Sequence, residues 1–255
     1  MRYLLTLGLL LAIFPISKTP SKAQASTALA ARMVTLKPKD GMQRQFEEGY
    51  KRHLEWHRQN KDKWTWYGWQ VIAGDRLGYF VDGTFGHRWE EFDAAVAPAG
   101  DAADNALNVS PYADFLSLSH YLLRPEISRG NLLEDRAPSA LIELLYYRLY
   151  PGKETEFESV LQKVHEAYGK EKQPRRYTWY KLVSGGEQPT YLLMLPLTKL
   201  ADFQMVEQSF TAILAKGYAE REAKLLLNTL QASVREVRSE ALRYRSDLSY
   251  LPPKE

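Results

Sequence analysis

The chain repeats one aromatic phrase, and that repeat limits its fold more than any other feature. Trp64-Thr65-Trp66-Tyr67-Gly68-Trp69 returns as Tyr177-Thr178-Trp179-Tyr180, with Thr, Trp and Tyr in the same order 113 positions on. Its surroundings return as well. Gly41 is matched by Gly152, Phe46 by Phe157 and Phe92 by Phe203, each at an offset of 111. Tyr79 and Tyr191 stand 112 apart, and Gly185-Gly186 sits where Gly74 did. Leu123 to Ser128 is echoed by Tyr244 to Ser249 at an offset of 121, so the second copy carries ten extra positions before that echo. Offsets this steady mark an internal duplication, and in 255 residues they favour two small units over one large one.

The first 25 residues read as a signal peptide. Arg2 precedes an apolar run from Tyr3 to Ile16, and Ala23-Gln24-Ala25 is an A-x-A cleavage pattern. The run is short for a bilayer span and polar residues follow it, so no membrane anchor remains after cleavage. Residues 26–31 are predicted to be a disordered N-terminus. Cleavage removes Arg2, Lys18 and Lys22 from 34 basic residues and none of the 31 acidic ones, leaving a neutral mature chain. Neutrality gives no bulk attraction to nucleic acid or to anionic membranes. The absence of cysteine excludes disulfides, thiolate metal sites and cysteine nucleophiles together. For an exported chain it points to a bacterial periplasm, or to the extracellular space.

Repeat 1 (32–135) opens with a β-prone run from Met33 to Lys37. A helix follows, with Phe46, Tyr50 and Leu54 on its apolar side. The aromatic strand Trp64 to Ile72 and a strand from Gly78 to Thr84 flank a hairpin signal at Gly74-Asp75-Arg76. A second helix is predicted near Trp89 and Phe92. The Ala/Gly/Asp-rich stretch 94–106 obscures its course and reads partly as loop, and a fourth strand is predicted around His120 to Leu123. Repeat 2 (136–255) follows the same order, with a strand from Ile142 to Leu149. Its first helix carries Phe157, Val160, Leu161, Val164 and Tyr168. Its second helix is predicted to be extended, over 203–234, with a bend at Gly217 and an apolar stripe that leaves self-association open.

Each repeat therefore reads β-α-β-β-α-β, the ferredoxin-like order of an α+β fold. Such a sheet has helices on one face, so two tandem βαββαβ repeats are expected to pack their four-stranded antiparallel sheets face to face, helices outside. In this order and repeat the chain resembles the dimeric α/β-barrel superfamily, in its fused tandem form, over most of 32–250. The resemblance covers NIPSNAP-like proteins, antibiotic-biosynthesis monooxygenases, and haem-binding chlorite dismutase and dye-decolorising peroxidase branches. It implies an enzyme of the cofactor-independent oxygenase kind. It also keeps haem as an option, although the sequence itself predicts no cofactor.

Alternation sorts the aromatic strands by face. Tyr67, Trp69 and Val71 suit packing under helices, whereas Trp66, Gly68 and Gln70, with Trp179 and Lys181, suit a cavity between the sheets. Lys37 and Arg148 are equivalent at an offset of 111, and Tyr146 shares the phase of Arg148. Together Trp66, Gln70, Trp179, Lys181, Lys37, Arg148 and Tyr146 would line a site for a small aromatic or amphiphilic ligand. Barrel core for the tryptophans and solvated strand ends for the cations is the plainer reading, and both stand at this level.

His87 follows the third strand, where a loop would aim it at a cavity mouth as a general base. His53 and His57 share a helix face at i, i+4 spacing and are the metal candidates, with packing histidines as the alternative. The string His53-Leu54-Glu55-Trp56-His57 is not a zinc-protease motif, because its glutamate stands one place late. There is no nucleophile elbow and no phosphate-binding glycine loop. Three readings survive: a small-molecule-binding module, a cofactor-independent oxygenase, and a structural or interaction protein.

Overall fold

A computed structural model describes residues 29–129, 133, 138–171, 176–207 and 210–253. The predicted signal peptide, 1–25, and residues 26–28 lie outside the described residues. Ala30 and Ala31 do not form a disordered tail: both are buried and begin the first strand.

The first half runs β1 (Ala30–Pro38), α1 (Gln43–Gln59), β2 (Tyr67–Ala73), β3 (Phe80–His87), α2 (Trp89–Phe92), α3 (Pro98–Asn108) and β4 (Ala113–Leu123). The second runs β5 (Leu141–Leu149), α4 (Glu154–Gly169), β6 (Thr178–Ser184), β7 (Thr190–Leu197), α5 (Phe210–Gly217), α6 (Glu220–Ser233) and β8 (Val234–Tyr244). The strand order is β4-β1-β3-β2 in one half and β8-β5-β7-β6 in the other, antiparallel throughout.

Two separate sheets packed face to face are not what forms. β2 pairs with β8 and β4 with β6, so the eight strands close into one barrel. The physical reason is that a sheet edge presents unpaired backbone groups, and joining edge to edge satisfies both sheets at once.

Pairing registers correct the sequence offsets. Leu36 opposes Phe80 and Tyr147 opposes Tyr191; Tyr67 opposes Gly83 and Thr178 opposes Met194. Both comparisons differ by 111. The counterpart of Trp179 is thus Gly68, not Trp66, and that of Tyr191 is Phe80, not Tyr79. The aromatic echo at 113 is two residues out of register. A slip of two keeps every side chain on its own face. The offset of 121 holds at the last strands, where Ala30 opposes Leu122 and Leu141 opposes Arg243. Gly74 and Gly185, also 111 apart, both adopt positive φ at the hairpin turns.

The face assignment is reversed. Tyr67, Trp69, Val71, Tyr180 and Leu182 fill the barrel interior, with Met33, Phe85 and Leu144 from the neighbouring strands. Trp66 packs under α1 with Phe46, Tyr50, Leu54 and Phe80. Trp179 packs under the second-half helices with Phe157, Val160 and Ile213. The interior is enclosed by both halves and so takes the most apolar face; the outer face meets amphipathic helices and tolerates mixed chemistry.

Two helical predictions also change. The expected helix over 203–234 is broken: a 3₁₀ segment (Leu200–Glu207) precedes α5, and α5 ends at Gly217 before α6 begins at Glu220. The stretch 94–106, read partly as loop, contains most of α3. That helix buries no residue of its own, so it lacks the apolar stripe by which helices are found. Instead it lies against α1 through a close backbone approach at Gly49. A Cβ there would stand 1.9 Å from the Asn108 carbonyl oxygen. The equivalent second-half position is Val160, which a different helical arrangement covers. Gly49→Ala is expected to push α3 off α1 and lower stability by about 1–3 kcal/mol, read from urea unfolding midpoints.

Candidate functional site

A pocket of about 490 Å³ lies outside the barrel, between the first-half sheet and helices α1 and α3. Arg32, Tyr50, His53, His57, Asp82 and Asp101 supply its polar wall, and Trp66 lines it too. Exposed Phe115, Leu116 and Leu118 of β4 form its apolar margin.

Strand register places the charged pair. Val34 opposes Asp82 and Arg32 opposes Thr84, so Arg32 and Asp82 share the outer face. The Tyr50 hydroxyl donates to Asp82 Oδ2 at 2.8 Å, whereas Asp82 Oδ1 is shut off from solvent with no hydrogen-bond partner. Burial pushes the Asp82 carboxyl up to about 6, against the opposing pull of Tyr50 and Arg32. Arg32 sits in an aromatic cage, its guanidinium carbon 4.9 Å from the Trp66 ring centre and 5.4 Å from that of Trp64. Its Nε is likewise buried without a partner. Burial lowers its pKa, with Asp82, Asp101 and Asp62 opposing. An orphaned carboxylate oxygen and an orphaned guanidinium N–H at one cavity are costly unless a ligand engages them.

The two histidines of α1 occupy successive turns of its buried side, at 5 % and 4 % exposure. His53 Nδ1 meets Asp104 Oδ2 at 2.8 Å, and His57 Nδ1 meets Asp62 Oδ2 at 2.7 Å. Carboxylates only accept, so each Nδ1 is the donor and each Nε2 keeps its lone pair when the ring is neutral. Those Nε2 atoms face each other at 3.2 Å. Burial and the neighbouring His57 lower the His53 pKa, Asp104 notwithstanding. Burial would raise the Asp62 pKa, yet His57, the Trp64 N–H and the Trp66 indole N–H outweigh it and hold Asp62 ionised.

The second half provides an internal control. At the offset of 111, Arg32, Tyr50, His53, His57, Trp66 and Asp82 correspond to Glu143, Leu161, Val164, Tyr168, Tyr177 and Leu193. Leu161, Val164, Tyr168, Tyr177 and Leu193 line the equivalent pocket under α4, of about 260 Å³ and mainly apolar. The same fold position therefore needs no arginine, histidine pair or buried aspartate for stability. The first half has them for another reason.

The other predicted residues disperse. Trp179 lines the apolar second-half pocket. Tyr146 and Arg148 line a pocket of about 180 Å³ at one end of the barrel. There Arg76 donates to Thr35, Tyr146 and Glu240, a satisfied network that reads as a structural plug. Gln70, Lys181 and Lys37 are half-buried and line none of these three pockets; Lys181 rests over the Tyr191 ring at 5.7 Å. His87 is the last residue of β3 and not on a loop, because that strand extends three residues past Thr84. It is buried, bonded to Thr84 Oγ1 and Glu91, tilted against the Trp64 ring, and absent from the cavity wall.

Haem does not fit these residues. An axial histidine needs a free ring nitrogen over an apolar slot. The two cavity histidines instead direct their Nε2 atoms at each other beside Arg32, Asp82 and Asp101. Among the described residues, the apolar second-half pocket has no histidine on its wall.

Comparison with known proteins yields fold alone. No protein-family profile matches the chain, and no curated protein matches it. Solved structures do. A protein of Lactobacillus acidophilus proposed as a monooxygenase superposes with a TM-score of 0.56 at 9 % identity, over 88 % of this chain and 96 % of that one. An anthrone oxidase-like protein gives 0.55 at 10 % identity, over 86 % and 92 %. A mutant chlorite dismutase from Candidatus Nitrospira defluvii gives 0.51 at 7 % identity, over 86 % and 92 %. These neighbours are dimeric α/β-barrel (ferredoxin-like) proteins. The likeness is one of architecture.

The raised Asp82 pKa carries a stability consequence. Its folded value of about 6 exceeds the ordinary 3.8, so the folded chain binds more protons and loses stability as pH rises from about 4 to about 6. Asp82→Asn keeps an acceptor for Tyr50 and removes the buried charge. It is expected to be more stable than the parent chain at pH 8 by roughly 2–3 kcal/mol, a gap that closes by pH 4 in urea unfolding.

Proposed function

We propose that the chain binds a small acidic aromatic molecule in the first-half cavity and acts on it as an oxygenase-like enzyme, with Asp82 as proton acceptor. The observation that carries this reading is the Asp82 carboxyl. Asp82 lines the cavity, one of its oxygens is fixed by Tyr50 while the other is buried without a partner, and burial raises its pKa to about 6. A carboxyl that holds a proton more readily than an ordinary one is suited to proton transfer as well as to ligand binding.

The residues divide the work. Asp82 takes a proton from an acidic O–H or C–H of the ligand. The caged Arg32 guanidinium holds the anion that remains, in a site where burial strengthens the attraction. Trp66 offers a flat apolar wall, and the Phe115–Leu118 margin accepts an apolar substrate from outside. Loss of the proton leaves an electron-rich anion, the species able to reduce dioxygen, which is the oxidant here. Fold-level likeness to an anthrone oxidase-like protein supports phenolic polycycles as the first substrate class to try. The A-x-A pattern before Ser26 supports export, as N-terminal sequencing of the secreted chain would check.

Oxygen uptake with anthrone and related phenols is the direct test. Turnover is expected with an acidic limb in kcat/KM near pH 6, and Asp82→Asn is expected to lower it by about 10²–10⁴-fold. Ligand-induced stabilisation without oxygen uptake would identify a binding module instead. Undiminished turnover in Asp82→Asn would remove Asp82 from the chemistry.

A further inference from the structure

We propose that His53, His57 and Asp101 bind one divalent first-row transition-metal ion at the wall of the first-half cavity. The inference goes beyond the proton chemistry of Asp82 and does not depend on it.

Three donor atoms converge from two helices. His53 Nε2 and His57 Nε2 are 3.2 Å apart, and Asp101 Oδ1 lies 3.3 Å from the first and 3.7 Å from the second. Tetrahedral ligands at about 2.1 Å from a metal stand about 3.4 Å from one another, so the observed triangle has the size that a metal requires. Among the described residues, no other three His, Cys, Asp or Glu side chains converge in this way.

The ring nitrogens behind the triangle are held by the second layer typical of metal sites. Asp104 accepts from His53 Nδ1, and Asp62 accepts from His57 Nδ1. These carboxylates come from different elements, α3 and the turn after α1, yet both fix the tautomer that frees Nε2. Two lone pairs aimed at each other at 3.2 Å repel. Asn105 Nδ2, 3.0 Å from His53 Nε2, relieves only one of them. A cation between the rings relieves both.

Donor type sets the ion. Two imidazoles and one carboxylate suit zinc, cobalt, nickel or ferrous iron over calcium and magnesium, which prefer oxygen, or cuprous copper, which prefers sulfur. Three protein ligands leave a coordination position for water or for a ligand oxygen. The equivalent second-half positions, Val164 and Tyr168, cannot form such a pair.

The test is cobalt(II) titration of the EDTA-treated full chain, followed by visible absorption. One equivalent is expected to bind saturably, with zinc competing. Binding is expected to fall at least 100-fold in His57→Ala and in Asp101→Asn, the latter a partly exposed position that leaves the core intact. Asp104→Asn and Asp62→Asn are expected to lose about 10–100-fold. His165→Ala, outside the cavity, should bind as the parent does, and unfolding curves confirm that each variant is folded. No saturable binding by the folded parent chain would overturn the site and leave a proton shared between the two rings. Undiminished binding in both His57→Ala and Asp101→Asn would overturn it too. Because cobalt binding is read without turnover, its failure is distinct from a failure of Asp82 as base.

Discussion

A four-stranded sheet with helices on one side leaves two strand edges and one bare face, and the barrel closure disposes of all three. Pairing β2 with β8 and β4 with β6 satisfies the edges, and the former bare faces become a shared interior. Trp69 of the first half meets Tyr244 of the second there, and Phe85 of the first meets Tyr180 of the second, with ring centres about 6 Å apart. Neither half has this core by itself.

Because the interior unites both halves, their outer faces are free to diverge. The second half uses its outer face for stability: Leu193 and Trp179 of the sheet pack against Phe157, Leu161 and Val164 of α4, Ile213 of α5 and Leu230 of α6. The first half places Tyr50, His53 and Asp82 at the matching positions and covers them with α3, a helix held by polar contacts. Buried polar groups of this kind oppose folding unless paired. They persist in one half because the other half and the barrel interior hold the architecture. The Gly49 approach brings Asp101, Asp104 and Asn105 within reach of the α1 histidines.

Much of the architecture was legible. Strand and helix order, the helical apolar stripes and the 111 offset all follow from short-range patterns that the backbone period imposes. The site was only half legible. The i, i+4 spacing of His53 and His57 is visible, but their partners come from α3, which carries no apolar period. Its stripe of Asp101, Asp104, Asn105 and Asn108 at helical spacing was the available signal. Asp82 was equally visible as a charge where the counterpart strand has Leu193, and Arg32 as a cation where it has Glu143, once strands are aligned at 111 and not at 113. The aromatic echo drew the alignment two residues away, and with it the pairing of Trp66 with Trp179.

The sequence by itself determined the βαββαβ order, its recurrence, and which residues share a strand face, because alternation and helical period are local properties of the chain. Only the tertiary structure decided which face looks inward, since that depends on how two sheets meet edge to edge. It also decided that His53, His57, Asp101 and Asp82 stand around one cavity. Residues up to 48 positions apart come together there through a backbone contact at Gly49 and a strand register, neither of which has a local signature.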